Sequence, residues 1–209
     1  AMYQDLNSPI PAEGVLRKTK TKPKKKSAVK KPAGKTAVKK PAAKVDAPAS
    51  VDTKKMISKK PARYVRIYLE GKGTLTLAEV EVMVGGKNIA PQGKASQAKT
   101  AHGGNASKAV DGNKSPKYGK GGQTHTPNNM ADPWWELDLG SELNVEEVAV
   151  WNRGEGFSER LNGFIVELLD SERKQTFLLG PNAAIAGVMR VNTLTGEFSV
   201  KGHDGKPEK

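Results

Sequence analysis

This sequence predicts an all-β chain, an antiparallel β-sandwich that follows an unstructured basic arm. Three observations predict it. From residue 62 onward, short runs alternate apolar and polar residues. Turns rich in Gly, Asn, Asp and Pro separate those runs, and no segment sustains a helical period.

The arm comes first. Residues 1–16 are mildly apolar and punctuated by proline. Residues 1–60 hold 17 Lys and Arg against 4 Asp and Glu, a net +13, while the remaining 18 basic and 18 acidic residues cancel. All the excess charge of the chain therefore lies in this arm. The run "KTKTKPKKKSAVKKPAGKTAVKKPAAKVDAPASVDTKK" has no aromatic residue and only scattered valines. Such a segment buries too little apolar area to offset chain entropy, so residues 1–61 are expected to be disordered. A nine-residue repeat, "SAVKKPAGK" at 27–35 and "TAVKKPAAK" at 36–44, reads as an extended, self-repelling spacer. Its composition resembles linker-histone and bacterial histone-like tails, which bind DNA by neutralising phosphates. Linker and polyanion-binding arm both stand as readings of residues 17–60.

The sandwich is expected over residues 62–200. In "RYVRIYL" (63–69), Val65, Ile67 and Leu69 share a face. In "LAEVEVMV" (77–84), Ala78, Val80, Val82 and Val84 alternate with Glu79 and Glu81, which places the glutamates outward. "WWELDLG" (134–140), "VEEVAVW" (145–151), "GFIVELLD" (163–170) and "QTFLLG" (175–180) alternate likewise. Two sheets of such strands enclose one core. Trp134 and Trp135 fall on opposite faces, one buried and one partly covered, and with Trp151 they read as packing residues. Lys94 to Asp132 is a long polar stretch with no evident structure of its own, of the kind that is functional or disordered. Residues 201–209 read as a frayed polar tail.

Several classes are excluded. The chain has no cysteine, which rules out disulfides, thiolate metal sites and cysteine nucleophiles. No apolar run reaches the length of a membrane span. No signal peptide is visible. The chain opens on Ala, which suggests a processed form or a piece of something longer. No paired carboxylates, nucleophile–base set or phosphate-cradling loop points to catalysis.

The order "ASKAVDGN … THT … DPWWELDLG … VAVWNRGEGFSERLNGF" resembles the fucolectins, the fucose-binding branch of the discoidin-like, coagulation factor 5/8 type C domains. The likeness covers residues 63–180. It implies a jelly-roll-like sandwich, a sugar pocket at its loop end and one structural calcium. The family's sugar motif is a histidine followed by Arg-x-Asp and a second Arg or Lys. It implies that His125, Arg153 and Arg160 hold the sugar. Planar guanidinium forks suit sugar oxygens, and imidazole donates or accepts. Glu155 stands where the family has Asp. Gly156 and Phe157 stand where it has adjacent cysteines, and an aromatic ring suits the apolar face of a sugar. Tyr118 joins the candidate set. Read without the family, Arg153 and Arg160 could equally be loop ion pairs with Glu155 and Glu159, and His102 a surface histidine.

The resemblance also implies the calcium ligands. Asp111 and Asn113 of "AVDGN" are matched, with Gly112 allowing the turn. The carbonyl of Lys108 and a residue near Gly122 follow, as do Glu79 and the carbonyl of Ala78. A hard cation takes six to eight oxygens, many of them loop carbonyls. The residue types alone read equally as an Asp-Gly-Asn turn that binds nothing. In the family the strands matching 63–84 close the domain, whereas here they come first. The order implies a circular permutation, or else a truncated preceding copy in which residues 187–200 close the domain and Glu197 replaces Glu79.

Three functions follow as expectations. The first is a calcium-stabilised, lectin-like module for fucose or a related sugar, extracellular, cell-surface or periplasmic by resemblance, and multivalent as an oligomer or within a larger protein. The second is nucleic-acid binding through the arm. The third is a docking domain of a larger polypeptide.

Overall fold

The computed structural model of the protein describes residues 54–57 and 60–203. The expectations for residues 1–53, the repeat included, lie outside the described residues. So do those for residues 204–209.

The described residues form thirteen strands. In chain order they are β1 (Lys54–Ile57), β2 (Ala62–Tyr68), β3 (Lys72–Gly73), β4 (Glu79–Val84), β5 (Lys87–Asn88), β6 (Lys94–Gln97), β7 (Met130–Ala131), β8 (Trp134–Leu143), β9 (Glu147–Trp151), β10 (Phe164–Leu169), β11 (Gln175–Asn182), β12 (Gly187–Asn192) and β13 (Phe198–Gly202). One sheet runs β1-β11-β10-β2-β8-β6, the other β13-β12-β9-β4-β5, and β3 pairs with β7. Every pairing is antiparallel.

Alternation produces the core, as the sequence implies. Val65 and Ile67 of β2, Trp135 and Leu137 of β8, and Val166 of β10 are fully buried from one sheet. Val80, Val82, Val148, Val150, Met189 and Val191 meet them from the other. Trp135 also donates its Nε1–H to the Ala106 carbonyl at 2.9 Å. Trp134 faces the other way and lies under the Arg66 guanidinium, 5.1 Å from the ring.

The N-terminal strands occupy central places. β2 lies between β10 and β8, and β4 lies between β9 and β5. Residues 62–84 thus complete this sandwich, as a permuted order requires. The register also gathers the loops. Tyr68 pairs with both Trp134 and Ile165, and Glu79 pairs with Trp151. The chain segments leaving β2 and β9 and entering β4, β8 and β10 therefore meet at one end.

Three boundaries differ from the sequence reading. Lys54–Ile57, assigned to the arm, pairs with β11 from Lys54↔Gly180 to Ile57↔Phe177; edge pairing supplies what its lysine-rich composition does not advertise. Lys201 and Gly202 are not a frayed end, because they continue the β12–β13 pairing to Gly187↔Gly202. The stretch from Lys94 to Asp132 is not structureless. It contains β6, β7 and short 3-10 turns at Ala106–Val110 and Tyr118–Lys120.

Replacing Trp135 tests this core. Trp135→Ala is expected to lower the unfolding free energy by about 3–5 kcal/mol, read from urea melts. Trp135→Phe keeps most of the volume but strands the Ala106 carbonyl, which costs about 1–3 kcal/mol. Wild-type stability in the alanine variant would contradict the packing.

Candidate functional site

The site begins with a pair of threonines. Thr124 and Thr126 flank His125 in an extended run beside Leu75 and Leu77. The Thr124 amide donates to the Leu77 carbonyl at 2.9 Å, and the Thr126 amide to the Leu75 carbonyl at 3.1 Å. The reverse bonds come from hydroxyls acting as acceptors: Leu77 N–H to Thr124 Oγ1 at 3.0 Å, and Leu75 N–H to Thr126 Oγ1 at 2.9 Å. In an extended run neighbouring side chains point oppositely, so two threonines turned toward Leu75–Leu77 turn His125 away from it.

His125 is held on both sides. Its amide donates to the Gly104 carbonyl at 2.9 Å and its carbonyl accepts from Ala101 at 2.8 Å. Nδ1 lies 2.6 Å from the Thr126 carbonyl. A carbonyl only accepts, so Nδ1 carries the proton and Nε2 is left as an acceptor. Burial pushes the imidazole pKa below the ordinary histidine value, and the nearby His102, Arg160 and Arg153 push the same way against the Thr126 carbonyl. Nε2 faces Arg160 Nη1 at 3.4 Å.

The loop after β9 brings the cations. Asn152 is fully buried and braces the loop: its Nδ2 donates to the carbonyls of Ser158 and Ile185 at 2.9 and 2.8 Å, and its Oδ1 accepts from the Arg153 amide at 2.7 Å. The Arg153 guanidinium lies 5.0 Å from the Tyr118 ring and 4.5 Å from the Phe157 ring, and Arg160 lies 4.2 Å from Phe157. Both cations thus share one aromatic ring, which fixes them by cation–π attraction. Glu155 Oε2 accepts from the Tyr118 amide at 3.0 Å and sits 3.7 Å from Arg153 Nη2. Arg153 Nε is buried without a partner among the described residues.

The structure therefore brings His125, Arg153, Arg160, Glu155, Phe157 and Tyr118 into one cluster. Part of the ion-pair alternative holds too, because Arg153 and Glu155 approach each other. Phe157 is 37 % exposed, so its ring serves the arginines and still reaches solvent. Chemically, the cluster offers guanidinium donors, one imidazole acceptor and aromatic edges around a partly open surface. That is a hydroxyl-binding set.

A second cluster lies beneath. Glu79, placed outward by alternation, is fully buried, because the turn at Asp111–Asn113 covers that face of β4. Its Oε1 accepts from Gly112 N–H at 3.1 Å, while Oε2 is buried without a partner. Gly112 has a φ of 84°, which glycine adopts without strain. Burial, with Asp111 and Glu81 nearby and only partly offset by the Gly112 bond, raises the Glu79 pKa from 4.5 to about 7. Asp111 Oδ1 accepts from Asn113 N–H at 2.9 Å, and Asn113 Oδ1 from Ser115 N–H at 3.2 Å. Gly122 packs against Asn113 so closely that an added Cβ would lie 2.6 Å from its carbonyl oxygen. The fully buried Gln123 leaves Oε1 unpaired.

These residues fit a hard cation. Glu79 Oε2 is buried and unpartnered beside the Asp111–Asn113 turn, whose carboxylate and carbonyls are further oxygen donors. No group of three or more His, Cys, Asp or Glu gathers among the described residues, so any cation here would rely on carbonyl oxygens for most of its shell. Lys108 lies in the Ala106–Val110 turn, and Ala78 donates its amide to the Trp151 carbonyl at 2.8 Å. Glu197 is elsewhere. Its carbonyl closes the β12–β13 turn onto Asn192, and its carboxylate accepts from Thr195.

Sequence reasoning missed two supports. His102 is exposed in a loop, as its reading as a surface histidine expects, but it also packs edge-on to His125 at 4.8 Å and accepts the Tyr118 hydroxyl on its carbonyl. The pair of glycines after it in "AHGGN" marks a tight turn and was the available signal. His203 packs on Trp151 at 6.2 Å and lies against Gly154, so it supports the arginine loop from below. Nothing in the polar "GHDGKPEK" signals that.

Comparison with known proteins finds similarity to galactose-binding-like domains and fucolectins. Residues 108–198 match a family model described as "NedA-like, galactose-binding domain". The chain is 35 % identical over 106 residues to a pentraxin fusion protein of Xenopus laevis, covering 50 % of this chain and 24 % of that protein. It is 33 % identical over 108 residues to fucolectin-6 of Anguilla japonica and 32 % identical over 108 residues to fucolectin-5 of the same species. Those matches cover 49 % of this chain and 55 and 56 % of the fucolectins. The chain thus spans about half the length of these fucolectins. None of these names denotes an enzyme. No solved structure matches at a significant level.

The raised Glu79 pKa gives a signed pH dependence. A carboxyl that holds its proton more tightly when folded stabilises most below its unfolded pKa and loses that contribution as pH rises through the folded value. In chelator, stability is expected to fall between pH 4.5 and about 7, by roughly 3 kcal/mol for Glu79 alone. The measurement is the difference between wild type and Glu79→Gln in urea melts, which cancels the opposing histidines. A Glu79→Gln profile parallel to wild type would refute the assignment.

Proposed function

We propose that the sandwich is a lectin-like, carbohydrate-binding domain for fucose or a related sugar such as galactose. The observation that carries this reading is the convergence of His125, Arg153 and Arg160 around an exposed aromatic edge. The two guanidiniums donate to ring and hydroxyl oxygens. The uncharged His125, its proton committed to the Thr126 carbonyl, accepts a hydroxyl proton at Nε2. Phe157 and Tyr118 offer apolar edges to the carbon-bound face of the sugar. The domain binds its ligand and does not turn it over.

A structural Ca2+ belongs to the same proposal. Glu79 and Asp111 would hold it with their carboxylates, Asn113 through an oxygen, and Lys108, Ala78 and Gly122 through their carbonyls. When bound, the ion supplies the positive charge that keeps Glu79 ionised at neutral pH. Its support is the unpartnered buried oxygen of Glu79. By tying the Asp111–Gly122 segment to β4, these ligands would set the position of the neighbouring Tyr118 and His125.

One such site binds shallowly, so useful affinity would come from several copies in an oligomer or a longer protein. By the same resemblance the setting is extracellular, cell-surface or periplasmic. No helix among the described residues is long and apolar enough to cross a membrane. The net +13 of residues 1–60 supports a separate, non-specific attraction of the arm to polyanions.

A glycan array with and without chelator tests the sugar reading. Arg153→Ala and Arg160→Ala are each expected to weaken any hit roughly ten- to hundredfold, the loss of charge-assisted hydrogen bonds. Unchanged binding in both variants would reject the pocket. For the ion, calcium at a hundredfold excess over its Kd is expected to add about 2.7 kcal/mol of stability, visible as a higher melting temperature that Asp111→Ala abolishes. An equal calcium response in that variant would exclude the site. Deleting residues 17–60 is expected to remove salt-sensitive DNA binding; persistence without them would dismiss a role for the arm.

A further inference from the structure

Beside the arginine pair lies a cleft of about 720 Å³ between the β2–β3 turn, the loop before β7 and the segment Glu159–Gly163. That volume is within the range of ligand clefts, roughly 300–1,000 Å³. Arg160 belongs to both places, since it lines the cleft and faces His125. The cleft therefore adjoins the proposed sugar site and shares no lining residue with the cluster around Glu79.

Its lining is polar and nearly neutral. Lys72 and Arg160 balance Glu70 and Glu159, so no excess charge selects an ion. The hydrogen-bonding groups are the side-chain amides of Asn128, Asn129 and Asn162, while the Thr74 hydroxyl accepts from the Asn129 backbone N–H at 3.2 Å. Asn162 uses its Oδ1 to accept from Ala184 N–H at 2.8 Å, which fixes the side chain and leaves its NH2 group as a donor. Carboxamides both donate and accept, and they suit uncharged hydroxyls.

We infer that this cleft takes the sugar units adjoining the one held by Arg153 and Arg160. The ligand is then a neutral oligosaccharide whose terminal unit occupies the arginine pair and whose next units lie along Asn128, Asn162 and Lys72. The inference rests on the sugar-binding reading above and adds the length of the ligand and the residues that read it.

Titration calorimetry on the full chain in calcium tests it. The probes are L-fucose, D-galactose and neutral trisaccharides ending in each. Wild type is expected to bind one trisaccharide on the order of tenfold more tightly than its terminal monosaccharide, the equivalent of one or two net hydrogen bonds. Asn128→Ala with Lys72→Ala should abolish that gain and leave monosaccharide affinity unchanged, which also shows that the variant folds. A trisaccharide bound no more tightly than its monosaccharide by wild type would overturn the subsite. So would a gain that survives in the double variant, or a double variant that loses both ligands while Asn128→Ala alone keeps both affinities. Failure of every probe to bind wild type would instead overturn the sugar-binding reading, and this inference with it.

Discussion

Two threonine hydroxyls hold the functional end of this domain together. By accepting the amides of Leu75 and Leu77, Thr124 and Thr126 seal a backbone ladder between the segment entering β4 and the long stretch before β8. Without that ladder buried amides would go unpaired, at a cost of about 1–3 kcal/mol each. With it, His125 has one orientation and one tautomer, and its Nε2 faces Arg160. The arginine loop, the Tyr118 turn and the Asp111 turn are all arranged around that fixed point.

A consequence is that the two clusters are mechanically linked. Tyr118 lies between them in sequence, and its hydroxyl, amide and ring engage His102, Glu155 and Arg153 respectively. The Asn113 side chain donates its Nδ2–H to the Lys120 carbonyl at 3.1 Å, so the oxygen-rich turn and the Tyr118 turn brace each other. Electrostatics separates the two clusters. Burial disfavours the charged form in both, and the neighbours add to it: His102, Arg160 and Arg153 lower the His125 pKa further, while Asp111 and Glu81 raise that of Glu79.

Much of this was legible in the sequence, and the parts that were not have physical reasons. Alternation located β2, β4 and β8 to β11, because half-buried strands must present one apolar face. It placed Glu79 on the outer side of β4 but could not say that a loop covers that side. β1 was invisible because "KKMI" becomes a strand only by borrowing the edge of β11. β13 and His203 were lost for the same reason, since a polar hairpin is set by its partner rather than its composition. In the site, the resemblance to the fucolectins marked His125, Arg153 and Arg160, which residue types alone left as loop charges and a surface histidine. The stacking of the two arginines on Phe157 depends on a loop path that the buried Asn152 braces from within.

The central placement of β2 and β4 bears on how this domain can be cut. The family match begins at residue 108, yet the strand filling the gap between β8 and β10 lies at Ala62–Tyr68, and the partner of β9 at Glu79–Val84. A fragment beginning at residue 108 would strip partners from β8, β9, β10 and β11, and such bare edges recruit other chains. The stretch that matches the family model and the stretch that builds the two sheets thus differ. Any expression boundary that respects the second must start before Lys54.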